Sequence, residues 1–171
     1  MSTGRLPSAV PAFIGLGANL GVREDALRAA VHALAALPGT RLVAVSSLYG
    51  SAPVGAGGPD YLNAVAQIET ALSPMDLLQA LQALEVDAGR ERPYRNAPRT
   101  LDLDVLIHGD SLIDCPELTV PHPRMMERAF VLRPLAELDP GRVSAQALQA
   151  VADQRIERLQ SPAWAGWAPG P

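Results

Sequence analysis

Four segments of the chain carry the apolar patterns that are typical of β-strands. Residues 12–16 form a short, continuous apolar run, which suits a buried strand. Residues 41–51 and 61–70 alternate between apolar and polar positions, as a strand with one buried face does. Residues 101–108 alternate as well and are rich in leucine, valine and isoleucine. These patterns predict four strands.

The last of these strands presents two carboxylates on one face. Because successive side chains of a strand point to opposite sides, Asp102 and Asp104 are expected to share a face, about 7 Å apart. The apolar residues expected on the other face are Leu101, Leu103, Val105 and Ile107. Two hard oxygen ligands on one rigid face suit Mg²⁺, which usually binds one or two carboxylates together with substrate phosphates.

Two long helices are predicted between the strands. Residues 22–37 follow a glycine-rich turn and carry Glu24 and Asp25 in the first turn, where acidic side chains interact favourably with the helix dipole. Residues 74–89 follow Ser73, a favourable N-cap residue, and begin with proline and end with glycine. Because Pro38 and Gly39 follow the first helix, both helices have clear start and stop signals.

The C-terminal third carries weaker patterns. A short helix is expected through Phe130 and Leu135, and residues 144–159 repeat apolar side chains at the spacing of an amphipathic helix. Residues 161–171, rich in proline and tryptophan, are expected to form a flexible tail. Its two tryptophans could instead pack on the body of the protein or on a partner.

The order of the predicted elements through residue 108 is β-α-β-β-α-β, the split βαβ pattern of ferredoxin-like folds. We therefore expect an α+β protein in which helices surround a mainly antiparallel sheet, with an additional C-terminal helix. Residues 12–160 are expected to form a single domain, preceded by a loose leader at residues 1–11.

The composition narrows the classes of function. A net charge of −4 disfavours a general nucleic-acid-binding protein. The sequence contains no lysine, which excludes a Walker A phosphate loop and Schiff-base chemistry. The single cysteine, Cys115, allows no internal disulfide. Because the sequence also shows no signal peptide and no apolar run of membrane-spanning length, we expect a cytoplasmic protein.

Four arginines directly precede the paired aspartates. Guanidinium groups are planar, permanently charged and well suited to phosphate oxygens. Arginines in a loop are usually solvated, and paired aspartates often just end a strand, but neighbouring carboxylates repel each other without a cation. The conjunction favours a site for a polyphosphate and its metal ion. The arginines are Arg90, Arg92, Arg95 and Arg99.

Four further side chains have both a functional and a structural interpretation. Tyr61 and Asn63 share one strand face, where they could bind a flat ligand or simply pack. Glu85 lies at the edge of the apolar stripe of its helix and could point to the arginine loop or to solvent. His122 is held between two prolines and could contact a phosphate or be structural. The basic residues near it are Arg124 and Arg128.

Five short segments resemble the 6-hydroxymethyl-7,8-dihydropterin pyrophosphokinase family of folate biosynthesis. The run Pro-Arg-Thr-Leu-Asp-Leu-Asp is highly specific, above all with Tyr-Leu-Asn upstream of it. The resemblance extends from about Phe13 to Pro140, in the order of the family. The five segments are residues 17–21, 59–63, 89–92, 98–104 and 120–124.

The resemblance implies a ferredoxin-like fold and transfer of the ATP pyrophosphoryl group to the pterin hydroxymethyl group, with release of AMP. It implies ATP and 6-hydroxymethyl-7,8-dihydropterin as small-molecule partners and two Mg²⁺ ions held by Asp102 and Asp104. We expect a monomer that binds neither nucleic acid nor membranes.

The resemblance also assigns roles to individual residues. Tyr61 and Phe130 would stack on the two faces of the pterin. The other pterin contacts would be Ser51, Ala52, Val54 and Asn63. The ATP contacts would be Glu85, Arg90, Arg92, Arg99, His122 and Arg128. The residues placed at the chemical step are Arg90, Arg92, Arg95, Arg99, Asp102 and Asp104.

Two other functions remain open from the residues alone. One is a ferredoxin-like module that binds a nucleotide without catalysis, which leaves the paired aspartates unexplained. The other is a metal-dependent phosphohydrolase that uses the same aspartates and arginines. One departure from the family also matters: Asn96 and Ala97 stand where many relatives have an aromatic residue and a glycine, so we expect slower or looser closure of that loop.

Overall fold

A computed structural model describes residues 8–18, 23–51, 61–89 and 101–167 of the chain. The predicted order β-α-β-β-α-β is confirmed except that the second predicted strand is divided into two, and further elements follow at the C-terminal end. The strands are β1 (Val10–Ala18), β2 (Thr40–Val45), β3 (Leu48–Ser51), β4 (Tyr61–Thr70), β5 (Asp102–His108), β6 (Ile113–Asp114), β7 (Thr119–Val120) and β8 (Ile156–Gln160). The α-helices are α1 (Arg23–Ala35), α2 (Pro74–Gly89), α3 (Ala129–Leu138) and α4 (Ala145–Ala150).

Six of the strands form one sheet, and the pairings between them are antiparallel. The order is β5-β1-β4-β3-β8, and β2 pairs with the second half of β4 beside β3. The strands β5, β1, β4 and β3 lie in the order of a ferredoxin-like sheet, and β8 extends the sheet at one edge. The predicted α+β class and antiparallel sheet are therefore confirmed. Strands β6 and β7 form a separate small hairpin.

Each face of the sheet has its own apolar core. On one face, α1 and α2 pack on the sheet through fully buried leucines, among them Leu27, Leu34, Leu77 and Leu81. On the other face, α3 and the segments around it pack on the sheet. The fully buried residues there include Phe13, Val65, Leu132 and Leu135. The sheet is thus the middle layer of three.

Helix α2 begins where its sequence signals place the start. The Ser73 hydroxyl oxygen accepts a hydrogen bond from the Asp76 backbone N–H at 3.1 Å, as an N-cap residue does. Pro74 occupies the first helical position, where a missing N–H costs nothing. Leu77 and Leu81 are fully buried against the sheet. The predicted apolar stripe of this helix is confirmed.

The predicted strand at residues 41–51 is interrupted, which corrects the sequence interpretation. Ser46 and Ser47 separate β2 from β3. The Ser46 N–H donates to the Val65 carbonyl, and the Val65 N–H donates to the Ser46 hydroxyl, both at 2.9 Å. A side-chain oxygen thus replaces a backbone carbonyl in the ladder, and alternation along the sequence does not register such an exchange.

The helix predicted at residues 144–159 is wrong beyond its first two turns. Helix α4 ends at Ala150, and residues 156–160 form β8, which pairs with β3. Without β8, the outer edge of β3 would leave its backbone groups unpaired, so this tertiary pairing overrides a weak helical pattern.

The chain after β8 packs on the body up to Trp167. Trp164 is buried, its indole N–H donates to the Ser46 carbonyl at 2.8 Å, and its own carbonyl accepts from Arg28 Nε at 3.0 Å. Of the two alternatives for the tryptophans, packing on the body therefore describes Trp164. Residues 168–171 lie outside the described part of the chain.

A bulge in β5 corrects the predicted faces of that strand. Val105 pairs with Ile14 and Ile107 pairs with Phe13, so Leu106 is an extra residue opposite β1. Leu103 and Val105 pack in the core under α1 and α2, whereas Leu106 and Ile107 pack with α3. Ile107 therefore lies on the opposite face from the one predicted.

Candidate active site

A cleft of about 1060 Å³ opens on the sheet face that carries α3. Its floor is formed by the C-terminal half of β1 and the N-terminal halves of β4 and β5, and one wall is formed by the start of α3. The cleft exists because α3 packs over only part of this face. The residues of the floor are Gly15, Leu16, Gly17, Asn63, Ala64, Val65, Asp102, Asp104 and Leu106.

Sheet register aligns the floor residues in a row. Asp102 pairs with Gly17, Gly17 pairs with Asn63, and Asn63 pairs with Tyr49. Because neighbouring strands lie about 4.8 Å apart, the Asp102 and Asn63 backbones are about 10 Å apart across one glycine. In the next row, Asp104 pairs with Gly15. The paired carboxylates thus lie at one end of the cleft and the amide at the other.

The glycine between them keeps the row open. A Cβ atom at Gly17 would stand 3.5 Å from Asn63 Oδ1, an ordinary contact distance, so packing within the protein does not require glycine there. A side chain at this position would instead fill the floor of the cleft. The glycine leaves room for a flat ligand to lie between the amide and the carboxylates.

Asp102 and Asp104 are both exposed on the cleft side of β5, as the alternation of that strand predicted. No group of three or more potential ligand side chains (His, Cys, Asp or Glu) occurs within residues 8–18, 23–51, 61–89 and 101–167. Two carboxylates alone would not enclose an ion, but they fit Mg²⁺, which takes its remaining ligands from water and substrate phosphates. The donor set present is therefore compatible with the predicted metal.

The outer edge of β5 is held by two residues that the sequence singled out. The Leu103 N–H donates to Glu85 Oε2 at 2.8 Å, and the His122 N–H donates to the Leu106 carbonyl at 2.8 Å. Glu85 comes from α2, and His122 follows a cis peptide bond between Val120 and Pro121. Glu85 and His122 are therefore both hydrogen-bonded to the strand that carries the paired aspartates.

His122 is set up as a neutral donor beside the carboxylates. Burial lowers the pKa of its imidazole, against the opposing charge of Asp104, and the charges of Arg128 and Arg124 lower that pKa further. Its Nδ1 accepts a hydrogen bond from the Arg124 N–H at 3.1 Å. In the neutral ring the proton is then on Nε2, which can donate to an anionic oxygen.

The other end of the cleft holds a polar pair. Ser51 and Asn63 are both buried, and Asn63 Nδ2 donates to the Ser51 hydroxyl oxygen at 2.7 Å. Tyr61 pairs with Ser51 in the sheet and lines the cleft. The structure therefore brings together three of the residues that the resemblance assigned to the pterin, on adjacent strands β3 and β4.

Phe130 and Arg128 form the wall opposite this floor. Both side chains line the cleft, and the Arg128 guanidinium carbon lies 5.4 Å from the centroid of the Phe130 ring. That distance is within the range of a cation–π contact, which helps to fix both side chains. Phe130 is half-buried, so part of its ring faces the cleft.

Six of the predicted site residues lie outside the described residues, so their roles stay predictions. Two belong to the loop after β3 and four to the loop before β5. They are Ala52, Val54, Arg90, Arg92, Arg95 and Arg99. Asn96 and Ala97, on which the expectation of looser loop closure rests, also lie outside the described part.

The sequence analysis did not identify a polar cluster that lies behind the cleft. Glu137 of α3 accepts hydrogen bonds from the Ser47 N–H, the Ser47 hydroxyl and the Tyr49 hydroxyl at 2.7 to 3.0 Å. Arg158 of β8 donates to the Ser47 hydroxyl oxygen at 2.8 Å. Burial, together with the hydrogen bond to Glu137, raises the pKa of Tyr49 to about 12. The cluster fastens the far end of α3 to the sheet.

The cleft also includes residues that sequence reasoning did not assign to a site. Glu127 lies in a short 3₁₀ turn before α3, and Gln154 and Arg155 precede β8. No motif marks the last two, and the wrong helix prediction at residues 144–159 hid their position. Arg124, noted only as a nearby positive charge, lines the cleft as well.

Comparison with protein families gives one match over most of the chain. The sequence model of the family described as 7,8-dihydro-6-hydroxymethylpterin-pyrophosphokinase matches residues 13–140. Two curated relatives named 2-amino-4-hydroxy-6-hydroxymethyldihydropteridine pyrophosphokinase are similar over nearly their whole length. The protein of Pseudomonas aeruginosa is 49% identical over 86% of this chain and 95% of its own. That of Haemophilus influenzae is 42% identical over 88% and 98%.

Solved structures agree on the fold. A crystal structure of a Plasmodium falciparum HPPK-DHPS triple mutant with STZ-DHP superposes with a TM-score of 0.64 at 13% identity, over 81% of this chain. The wild-type HPPK-DHPS with pterin and p-hydroxybenzoate gives a TM-score of 0.57 over 78% of this chain. The present chain spans about two fifths of the length of those solved chains. At this identity the likeness shows the fold alone.

Proposed function

The chain belongs to the 7,8-dihydro-6-hydroxymethylpterin-pyrophosphokinase family, and on that premise we propose that it transfers pyrophosphate from ATP to 6-hydroxymethyl-7,8-dihydropterin, as a step of folate biosynthesis. The products are the pterin diphosphate and AMP. The observation that carries the proposal is the floor of the cleft. Paired carboxylates at one end and a buried serine–asparagine pair at the other are separated by an open glycine row.

The pterin is assigned to the end formed by β3 and β4. A flat, polar heterocycle would lie between Tyr61 and Phe130, which line the cleft from the sheet and from α3. Asn63 supplies an amide for the edge of the ring, supported by the Ser51 hydroxyl and by the backbone around Ala52 and Val54. In this position the hydroxymethyl group would point along the glycine row toward the carboxylates.

The triphosphate is assigned to the other end. Asp102 and Asp104 would hold Mg²⁺, two ions in our proposal, which when bound supplies positive charge to the phosphate oxygens. Neutral His122 can donate to a phosphate oxygen, and Arg128 supplies a fixed positive charge. Glu85 is placed near the nucleotide. The arginines proposed to act at the chemical step are Arg90, Arg92, Arg95 and Arg99.

The reaction then requires positioning and charge compensation. The hydroxymethyl oxygen would attack the β-phosphorus in line, and the bond from that phosphorus to the oxygen bridging to the α-phosphorus would break. AMP would leave with that oxygen, and the hydroxyl group would lose its proton. Fixed charges at the carboxylate end act on the charge that develops on the phosphates.

Product analysis tests the proposal directly. Purified protein with ATP, Mg²⁺ and the hydroxymethyl dihydropterin is expected to form AMP one-for-one with pterin diphosphate. Asp102→Asn and Asp104→Asn should each lower turnover by at least about 100-fold, because each removes charge that holds the metal. Asp110→Asn, at an exposed turn after β5, is the matched control and should leave turnover unchanged.

Other outcomes would contradict the proposal in distinct ways. Formation of ADP would indicate an ordinary kinase, and nucleotide turnover that is indifferent to the pterin would indicate a phosphohydrolase. Tight ATP binding without AMP release would favour a binding module. We further propose a monomer in the cytoplasm that binds neither nucleic acid nor membranes. Among the helices that the structure describes, none has both the length and the apolar character of a membrane-spanning segment.

A further inference from the structure

Gln154 bridges the backbone on both sides of Arg128. Its Oε1 accepts a hydrogen bond from the Ala129 N–H at 2.8 Å, and its Nε2 donates to the Glu127 carbonyl at 2.7 Å. The Gln154 side-chain amide therefore both accepts a hydrogen bond from the short segment that leads into α3 and donates one to it. Gln154 itself lies on the wall of the cleft.

The bridge supplies the capping hydrogen bond that α3 does not receive from its own N-cap residue. The residue at the N-cap position of α3 is Arg128, whose side chain makes no capping hydrogen bond. The first N–H groups of a helix have no partner within the helix, and an oxygen of a capping side chain normally accepts from one of them. The Gln154 side chain, 25 residues after Ala129 in the chain, supplies this oxygen instead.

The segment held in this way carries two side chains of the cleft. Arg128 lies between the two bonded backbone groups, and Phe130 follows directly after the bonded N–H. Their contact, with the guanidinium carbon 5.4 Å from the ring centroid, depends on the backbone that Gln154 fixes. A shift of this segment would move both groups together.

The same stretch of chain also reaches the opposite side of the cleft. Ile156, two residues after Gln154, pairs with Ser51 in the sheet, and Ser51 binds Asn63. Residues 154–156 therefore connect the wall that carries Phe130 to the floor that carries Ser51. This connection ties the position of the α3 start, which carries Phe130, to that of Ser51.

We propose that Gln154 is a positioning residue that holds Phe130 and Arg128 at the distance from the sheet that the pterin requires. The inference rests on the proposed function and deepens it, because it identifies what determines the fit of the flat substrate. It concerns a residue outside the part of the chain that the family model matches. Gln154 acts through the backbone of the α3 start.

Pterin binding in the presence of Mg²⁺ and a non-hydrolysable ATP analogue is the direct measurement. Titration followed by pterin fluorescence should show about tenfold weaker binding to Gln154→Ala, since two hydrogen bonds that fix the wall are lost. In the steady state, KM for the pterin should rise by a similar factor while kcat changes less than about twofold. Gln154→Glu, which keeps the acceptor and loses the donor, should fall between the two proteins.

The matched control is Gln149→Glu, at an exposed glutamine of α4 that does not line the cleft. Gln149→Glu introduces the same negative charge as Gln154→Glu and should bind pterin as the wild-type protein does. Thermal unfolding of each variant shows whether weaker binding comes from loss of the fold. Wild-type pterin affinity in Gln154→Ala would overturn the inference.

A double-mutant cycle with Phe130→Leu separates positioning from a direct contact. If Gln154 acts through Phe130, adding Gln154→Ala to Phe130→Leu should cost much less than tenfold. An equal, independent loss in that background would overturn the inference. Failure of the wild-type protein to form AMP and pterin diphosphate would overturn the proposed function as well, so the two failures are distinguishable.

Discussion

The two faces of the sheet have different compositions and different tasks. The face under α1 and α2 is apolar along most of β1 and β4, with Leu16, Ala64, Ala66 and Ile68 all buried. The face that carries α3 is apolar only around Phe13 and Val65 and then becomes glycine, asparagine and aspartate. One face is closed by helices throughout, and the other is closed over one half and open over the rest.

The same strands serve both faces, because their side chains alternate. In β4, Leu62 and Ala64 lie in the closed core while Asn63 between them lies on the cleft floor. In β5, Leu103 is buried between the exposed carboxylates of Asp102 and Asp104. Packing on one side therefore fixes the position of polar groups on the other. A rigid closed face is what allows the open face to be preorganised.

The largest effects on stability should come from the closed face. Leu81→Ala removes a fully buried side chain of α2 and should lower the free energy of unfolding by about 2 to 5 kcal/mol. Equilibrium urea unfolding measures the change. At temperatures where the variant stays folded, pterin affinity should remain close to that of the wild-type protein, because Leu81 does not line the cleft.

Phe130→Ala is the counterpart on the open face. It deletes a larger side chain that is only half-buried, so the loss of stability should be smaller than for Leu81→Ala. Pterin affinity should fall by more than tenfold, since one stacking face is removed. A larger loss of stability in Phe130→Ala than in Leu81→Ala would refute the division between the faces.

Trp164→Phe should have an intermediate effect on the closed face. The substitution keeps most of the apolar contact but removes the indole N–H that donates to the buried Ser46 carbonyl. A buried carbonyl left without its partner costs about 1 to 3 kcal/mol. Thermal unfolding measures the loss, with Trp167→Phe as control because Trp167 is only half-buried. Equal losses in both variants would contradict a specific role for this hydrogen bond.

The smallest effect concerns pH and the cluster behind the cleft. Because the pKa of Tyr49 is raised to about 12, the folded protein keeps the hydroxyl proton at a pH where the unfolded chain, with its ordinary pKa near 10, loses it. This contribution to stability is complete below pH 10 and is lost as the pH rises toward 12. Tyr49→Phe should remove a decline of about 1 to 2 kcal/mol over that window.

Urea unfolding at pH 9 and pH 11 measures that decline. Glu137→Gln should also make it shallower, since the hydrogen bond and the charge of Glu137 both contribute to the raised pKa. An unchanged slope in Tyr49→Phe would show that other groups cause the alkaline loss.

The sequence by itself determined the core of this protein and much of its candidate site. The order β-α-β-β-α-β, apart from the division of its second strand, follows from local periodicity. The start of α2 at Ser73 and the shared face of Asp102 and Asp104 follow from local capping and periodicity as well. Such features depend on neighbours within a few residues, so a pattern in the chain is enough to predict them.

Tertiary structure decided what depends on distant partners. Residues 156–160 became a strand because the edge of β3 was available, and Ile107 changed face because β5 bulges against β1. Gln154 reached the start of α3 only through that strand, and no motif marks it. Hydrogen bonds between elements far apart in the chain override weak local preferences, and they determine how the cleft is closed.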